Sequence, residues 1–208
     1  MNRRIVLFVG RLGFGCLSLV AISTQLVIHI QDGFNVVNFF SYFTNLSNIF
    51  GALVLLVAAF YLITGRKSTP AGDMVRGCAV VCMALVGIVF TALLREVDLG
   101  SLLPWINTVL HYVMPIVVVL DWLIQPPARP LDLKKLWIWT LPPIVYLAYS
   151  LIRGAILNWY AYPFLNPALS GGYGMVAVTC VGITVVFLVV SLLLAVVTNK
   201  LRPWAPAT

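Results

Sequence analysis

The stretch from Tyr173 to Thr198 contains no charged residue. A helix needs about 20 predominantly apolar residues to cross a hydrocarbon core about 30 Å thick, and this stretch is long enough. Five further apolar runs precede it, at about 5–30, 39–64, 74–94, 104–124 and 136–157. The runs are continuous and lack the period-2 alternation of a membrane barrel. The expected fold class is therefore all-α: an integral membrane protein, a bundle of six transmembrane helices forming one domain over residues 1–208.

Composition closes off the alternatives. Hydrophobic residues make up 62% of the 208-residue chain and charged residues 9%, with a mean hydropathy of +1.03. A soluble domain carries about 25% charged residues, so this chain has no polar coat to dissolve it. Disordered, disulfide-scaffold and nucleic-acid-binding readings fall with the soluble one. The net charge of +7 is a topology signal instead. Arg3, Arg4, Arg66, Lys67, Arg76, Arg129, Lys134, Lys135, Lys200 and Arg202 share one side of a six-span model, and Arg11 lies low on that side. Only Arg95 and Arg153 approach the other. By the positive-inside rule both termini are expected in the cytoplasm. Asn2-Arg3-Arg4 resembles a signal-peptide n-region, but the apolar stretch is too long for an h-region and no A-x-A-like site follows, so a retained anchor is expected. Cys16, Cys78, Cys82 and Cys180 all lie in apolar runs. Cys78 and Cys82 share a helix face, yet no histidine or second cysteine pair completes a metal site; no metal and no cofactor is expected.

Polar residues inside a membrane are costly and mark functional sites. One group opens span two: Asn38, Ser41, Tyr42, Thr44, Asn45, Ser47 and Asn48, with Ser41, Asn45 and Asn48 at i, i+4 and i+7. A second is Asn107 and His111, one turn apart in span four, followed by Pro115, whose missing N–H should bend the helix at the His111 carbonyl. A third is Arg153 with Tyr146 and Tyr149, and Arg95 and Glu96 end span three. At 1.5 Å per residue these groups reach one outer layer of the membrane, as do Gln25 and His29 of span one. One outward-opening polar pocket is the expectation; interhelical hydrogen bonding is the competing explanation for each residue alone. Asp121 lies deeper and is expected to pair with Lys134 or Lys135.

A threonine hydroxyl needs a base within hydrogen-bond reach to act as a nucleophile, and a neutral histidine can serve. Asparagine side chains can hold an oxyanion. Thr44, His111 and the candidates Asn45, Asn48 and Asn107 thus contain the parts for ester hydrolysis through a dyad. Ser41, Ser47 and His29 are competing choices.

Three short motifs narrow the choice. Phe43-Thr44 at the head of span two, Trp105-Ile106-Asn107 with His111 and a following proline, and Trp159 with Tyr162-Pro163-Phe164-Leu165 occur in that order. Together they resemble the pattern of the androgen-induced protein and androgen-dependent TFPI-regulating protein family, from span two to span six. That resemblance implies a bacterial six-span relative of integral-membrane threonine hydrolases acting on fatty acid esters of hydroxy fatty acids. It implies Thr44 as nucleophile and His111 as base. The offsets of the proline after His111 and of the asparagines after Thr44 depart from the family's pattern. Expected partners are a lipid ester substrate and membrane lipids, with no nucleic acid. A free carboxylate on the substrate would need a cation near the surface: Arg153 first, Arg95 second. The rival functional class is a non-enzymatic transporter or channel using the same pocket, with His111 and Arg153 as ligands. A further rival is a structural membrane partner whose asparagines are glue.

Overall fold

A computed structural model describes residues 3–98 and 100–201; Asn2 and Arg202, used in the topology argument, lie outside them. The described residues are helical, without strands. Helix α1 is Arg3–Gln31, α2 Val36–Phe40, α3 Phe43–Thr64 and α4 Pro70–Val89, the last prolonged by a π-turn at Phe90–Leu94. Span four is α5 (Pro104–Thr108), a π-turn (Val109–Val113) and α6 (Met114–Ile124); then come α7 (Trp137–Leu157), α8 (Pro167–Ser170) and α9 (Tyr173–Leu201). Six of these segments are long and apolar enough to cross a membrane, as the sequence leads one to expect of an integral membrane protein.

Local chemistry sets the ends. Thr69 caps α4 by accepting from Gly72 N–H, with Pro70 at the first helical position, where its missing donor costs nothing. Gly65, at φ 69°, ends α3, and positive φ favours glycine. Span two differs from expectation at its start. It is two helices, and the chain turns at Ser41 and Tyr42 before α3 begins at Phe43. Ser41 is therefore not on the Asn45–Asn48 helix face; its hydroxyl bonds the Val37 carbonyl at 2.7 Å, closing α2 by local competition with the backbone.

The bend expected at Pro115 is accommodated as a π-turn. Met114 N–H donates to the Val109 carbonyl, five residues back, so the ladder is rerouted just ahead of the proline. Gly87 lets α4 approach there: a Cβ on it would stand 3.1 Å from Pro115 Cβ.

Helix α4 sits centrally, with 61% of its apolar window buried, and α5–α6 follows at 50%. The core around it contains Val81, Met83, Leu110, Met114, Trp122 and Trp139. At the end bearing Arg3, which we call the basic end, Asp121 corrects the sequence expectation. It pairs with Arg11 at 2.6 Å and Arg76 at 2.7 Å, not with Lys134 or Lys135. Lys135 instead stands 3.9 Å from Asp132 on the surface. Arg11 and Asp121 are both buried, and buried charges must be paired. One carboxylate between two guanidiniums meets that demand, whereas the lysines keep their ammonium groups in water.

Candidate functional site

The site lies at the opposite end of the bundle. Thr44 is the second residue of α3, and its N–H, one of the helix's unsatisfied first-turn donors, reaches the Tyr162 hydroxyl at 3.1 Å. Thr44 Oγ1 stands 3.3 Å from the same hydroxyl. Accepting the Thr44 N–H occupies the Tyr162 oxygen and leaves its proton to be donated. Burial pushes the Tyr162 phenol above its ordinary pKa of 10.0, the contacts from Thr44 pulling part of the way back, so Tyr162 is a neutral donor at ordinary pH.

His111 projects from the π-turn of span four and is buried. Its Nδ1 faces the Asn107 side-chain oxygen at 2.7 Å and the Asn107 carbonyl at 3.2 Å. Both are acceptors, so Nδ1 carries the hydrogen and Nε2 the lone pair, the tautomer a base requires. The Phe90 ring stacks on the imidazole, centroids 3.9 Å apart at 18°. Phe90 belongs to the π-turn of α4, so two wide turns meet at this contact.

Asn48 joins the two halves of the site. Fully buried, its Nδ2 donates to the Thr44 carbonyl at 2.9 Å and to the Leu110 carbonyl at 3.1 Å. One amide thus holds the first turn of α3 against the backbone beside His111. Asn45 Nδ2 donates to the Phe39 carbonyl at 2.8 Å, bracing the break between α2 and α3. The asparagines spend amide hydrogens on the frame, and Asn107 orients the histidine.

Thr44, Tyr162 and Phe90 line one end of an apolar cavity of about 550 Å³ between α4, α7 and α9. Its other end reaches Leu136, Trp137 and Leu192. The expected common polar pocket is corrected here. His111, Arg153, Gln25 and His29 do not line this cavity. Gln25 bonds Ser101 and Leu103 of the loop before α5, and His29 bonds the Asn35 carbonyl. Depth alone put them in one layer; their direction around each helix separates them.

No protein-family model, curated protein or solved structure matches this chain.

Arg153 occupies a neighbouring nook. Its Nη2 donates to Asn38 Oδ1 at 2.6 Å and its guanidinium lies 4.6 Å over the Trp159 ring. Its Nη1 is buried without a partner, as is the Ser150 hydroxyl beside it. Arg95 is exposed and pairs with exposed Glu96 at 3.4 Å. Among the described residues no group of three or more metal-binding side chains converges.

Tyr162 and Phe90 are the residues to which sequence reasoning gave no chemical role. Tyr162 stood in a quoted motif, but it lies 118 positions from Thr44, a pairing that one sequence does not announce. Phe90 read as one apolar residue in an apolar run.

Proposed function

We propose that this chain is an integral-membrane lipid esterase with Thr44 as nucleophile and His111 as base, resembling the threonine hydrolases of fatty acid esters of hydroxy fatty acids. The observation that carries the reading is a helix-start hydroxyl on an acyl-sized apolar cavity, its turn tied by the Asn48 amide to the backbone next to a buried histidine of fixed tautomer. Pockets of about 300–1,000 Å³ suit small-molecule ligands, and the walls here suit a lipid chain. The Lys and Arg bias favours the basic end as cytoplasmic, and the resemblance to a bacterial relative favours the plasma membrane, which would put the site near the outer face.

In the reaction, Thr44 Oγ1 turns from Tyr162 towards His111 Nε2 and gives up its proton as it attacks the ester carbonyl. Catalytic hydrogen bonds commonly tighten only with substrate bound. Tyr162 donates to the developing oxyanion, the role of a preorganised donor in a water-poor site. Collapse of the tetrahedral species breaks the ester C–O bond. The alkoxide leaves with the proton from His111, and the acyl group stays on Thr44. A water then attacks the acyl-enzyme with His111 again as base, releasing the acid and restoring Thr44. Arg153, with its unpartnered Nη1, is the first choice for a carboxylate on the alcohol half.

The test is hydrolysis of a branched fatty acid ester by purified protein in detergent, beside Thr44→Ala and His111→Ala checked by gel filtration. Both variants are expected to lose at least about a thousandfold in rate, the scale for removing a member of a catalytic unit. A fluorophosphonate should label Thr44 in the wild type. Inert wild type across several chain lengths, with no labelling, defeats the esterase reading. Solute movement in liposomes that survives Thr44→Ala would put a transporter in its place.

A further inference from the structure

We propose that the cavity between α4, α7 and α9 binds one extended acyl chain of about a dozen carbons carrying an oxygen function near its far end, which the Ser191 hydroxyl recognises. The assignment deepens the esterase reading, since it takes the Thr44 end as the place of the ester group.

Ser191 lies in α9, is 3% exposed, lines the cavity, and its Oγ has no hydrogen-bond partner. Threonines of the long helices behave differently, and the one comparable hydroxyl among the described residues, Ser150, faces the separate nook of Arg153. Thr64, Thr91, Thr108, Thr184 and Thr198 each donate to the carbonyl four residues back. Two of them share α9 with Ser191. A hydroxyl that can close on its own helix and is instead left open in a buried place is held for a partner from outside the fold.

Water is a poor candidate for that partner. A buried water is held by about three polar groups. Thr140 and Thr184, which also line the cavity, have already given their protons to the Trp137 and Cys180 carbonyls. The rest of that half is apolar, including Leu85, Leu136, Phe187 and Leu192. An organic oxygen carried in on an apolar chain meets Ser191 without asking for further partners.

The dimensions set the chain. Along α9 the distance between the lining residues Cys180 and Ser191 is about 16 Å at 1.5 Å per residue. An extended backbone advances about 3.6 Å over three bonds, so that distance takes about 13 bonds. The route in is sideways. Only 11% of the apolar window of α7 and 17% of that of α9 are buried, so the wall between them faces lipid, where such chains reside.

The experiment uses the full chain in nanodiscs and non-hydrolysable ethers, so binding is read without catalysis. Tritiated 12-hydroxydodecyl methyl ether is the probe in a scintillation proximity assay. Unlabelled dodecyl methyl ether and 6-hydroxyhexyl methyl ether compete. The wild type should bind the probe and prefer it to the dodecyl ether by about fivefold, the scale of one neutral hydrogen bond, with the hexyl compound weakest. Ser191→Ala should bind both twelve-carbon ethers alike. Ser191→Leu, which also fills that end of the cavity, should shift preference to the shorter chain. No probe binding, equal competition by the dodecyl ether in the wild type, or an unchanged preference in Ser191→Ala each overturns the proposal. A wild type that binds with this preference yet hydrolyses no ester separates the two readings, since the esterase fails and the binding site stands.

Discussion

The first four spans and the last two are held together differently. Within the first four, the Arg11–Asp121–Arg76 group ties α1, α4 and α6 together at the basic end, and the Asn48 amide ties α3 to span four at the other. Helices α7 and α9 join this frame chiefly near their ends. Trp139 Nε1 donates to the Met74 carbonyl, and Trp122 Nε1 to Thr198 Oγ1. At the far end Tyr146 reaches the Ser41 carbonyl and Arg153 reaches Asn38. Between those fastenings lies the cavity. The contrast teaches that Thr44 and His111, the proposed nucleophile and base, stand on the packed frame, while the side open to lipid belongs to the loosely covered pair. The proposed lateral entry and the proposed catalytic pair thus make their demands on different helices.

The largest break to that division should come from Asp121→Ala. It leaves the buried Arg11 and the largely buried Arg76 facing each other without their shared carboxylate. Removing one partner of a buried ion pair costs about 3–5 kcal/mol, expected as a lower thermal midpoint in detergent. Gly77→Ala attacks the fastening of frame to wall. A Cβ there would sit 2.3 Å from Trp139 Cζ2; overpacking of this kind costs about 1–3 kcal/mol, and the same melt reads it. Tyr162→Phe should leave stability within about 1 kcal/mol, a single net hydrogen bond, while lowering the hydrolysis rate by about tenfold or more. Its phenol pKa is raised by burial, so its contribution to folding is full below pH 10.0 and falls as pH rises beyond that value. The wild-type melt should be flat through pH 9 on this account, with the alkaline loss reduced in Tyr162→Phe. The smallest effect is expected at Ile156, 72% exposed on α7; Ile156→Ala should change the midpoint by no more than about 0.5 kcal/mol equivalent.

The six long helices were legible because hydropathy alone specifies them. The runs begin and end where Pro104, Thr69 and Gly65 stand. What sequence does not supply is direction around the helix. Asp121 and the lysines beyond it share an end of the bundle, yet Asp121 points inwards to Arg11 and Arg76. Gln25, His29, Thr44, His111 and Arg153 were expected in one pocket on depth, and the structure sends them to different neighbours. The break at Ser41 and Tyr42 escaped notice because Phe39 and Phe40 continue the apolar pattern. The tautomer of His111 was half legible: Asn107 sits one turn away, but whether its side-chain oxygen faces Nδ1 is a rotamer, which spacing does not give.

The paired π-turns at Phe90–Leu94 and Val109–Val113 have a genetic consequence. Each wide turn holds one residue more than an α-turn would. Losing a single codon from either segment would restore an ordinary ladder and leave hydropathy, span length and charge almost unaltered. The helix beyond the lesion would keep its phase, but the side chains within the wide turn would change place, parting Phe90 from His111. In-frame single-residue deletions here should behave as null alleles for the site while passing for silent in any hydropathy plot.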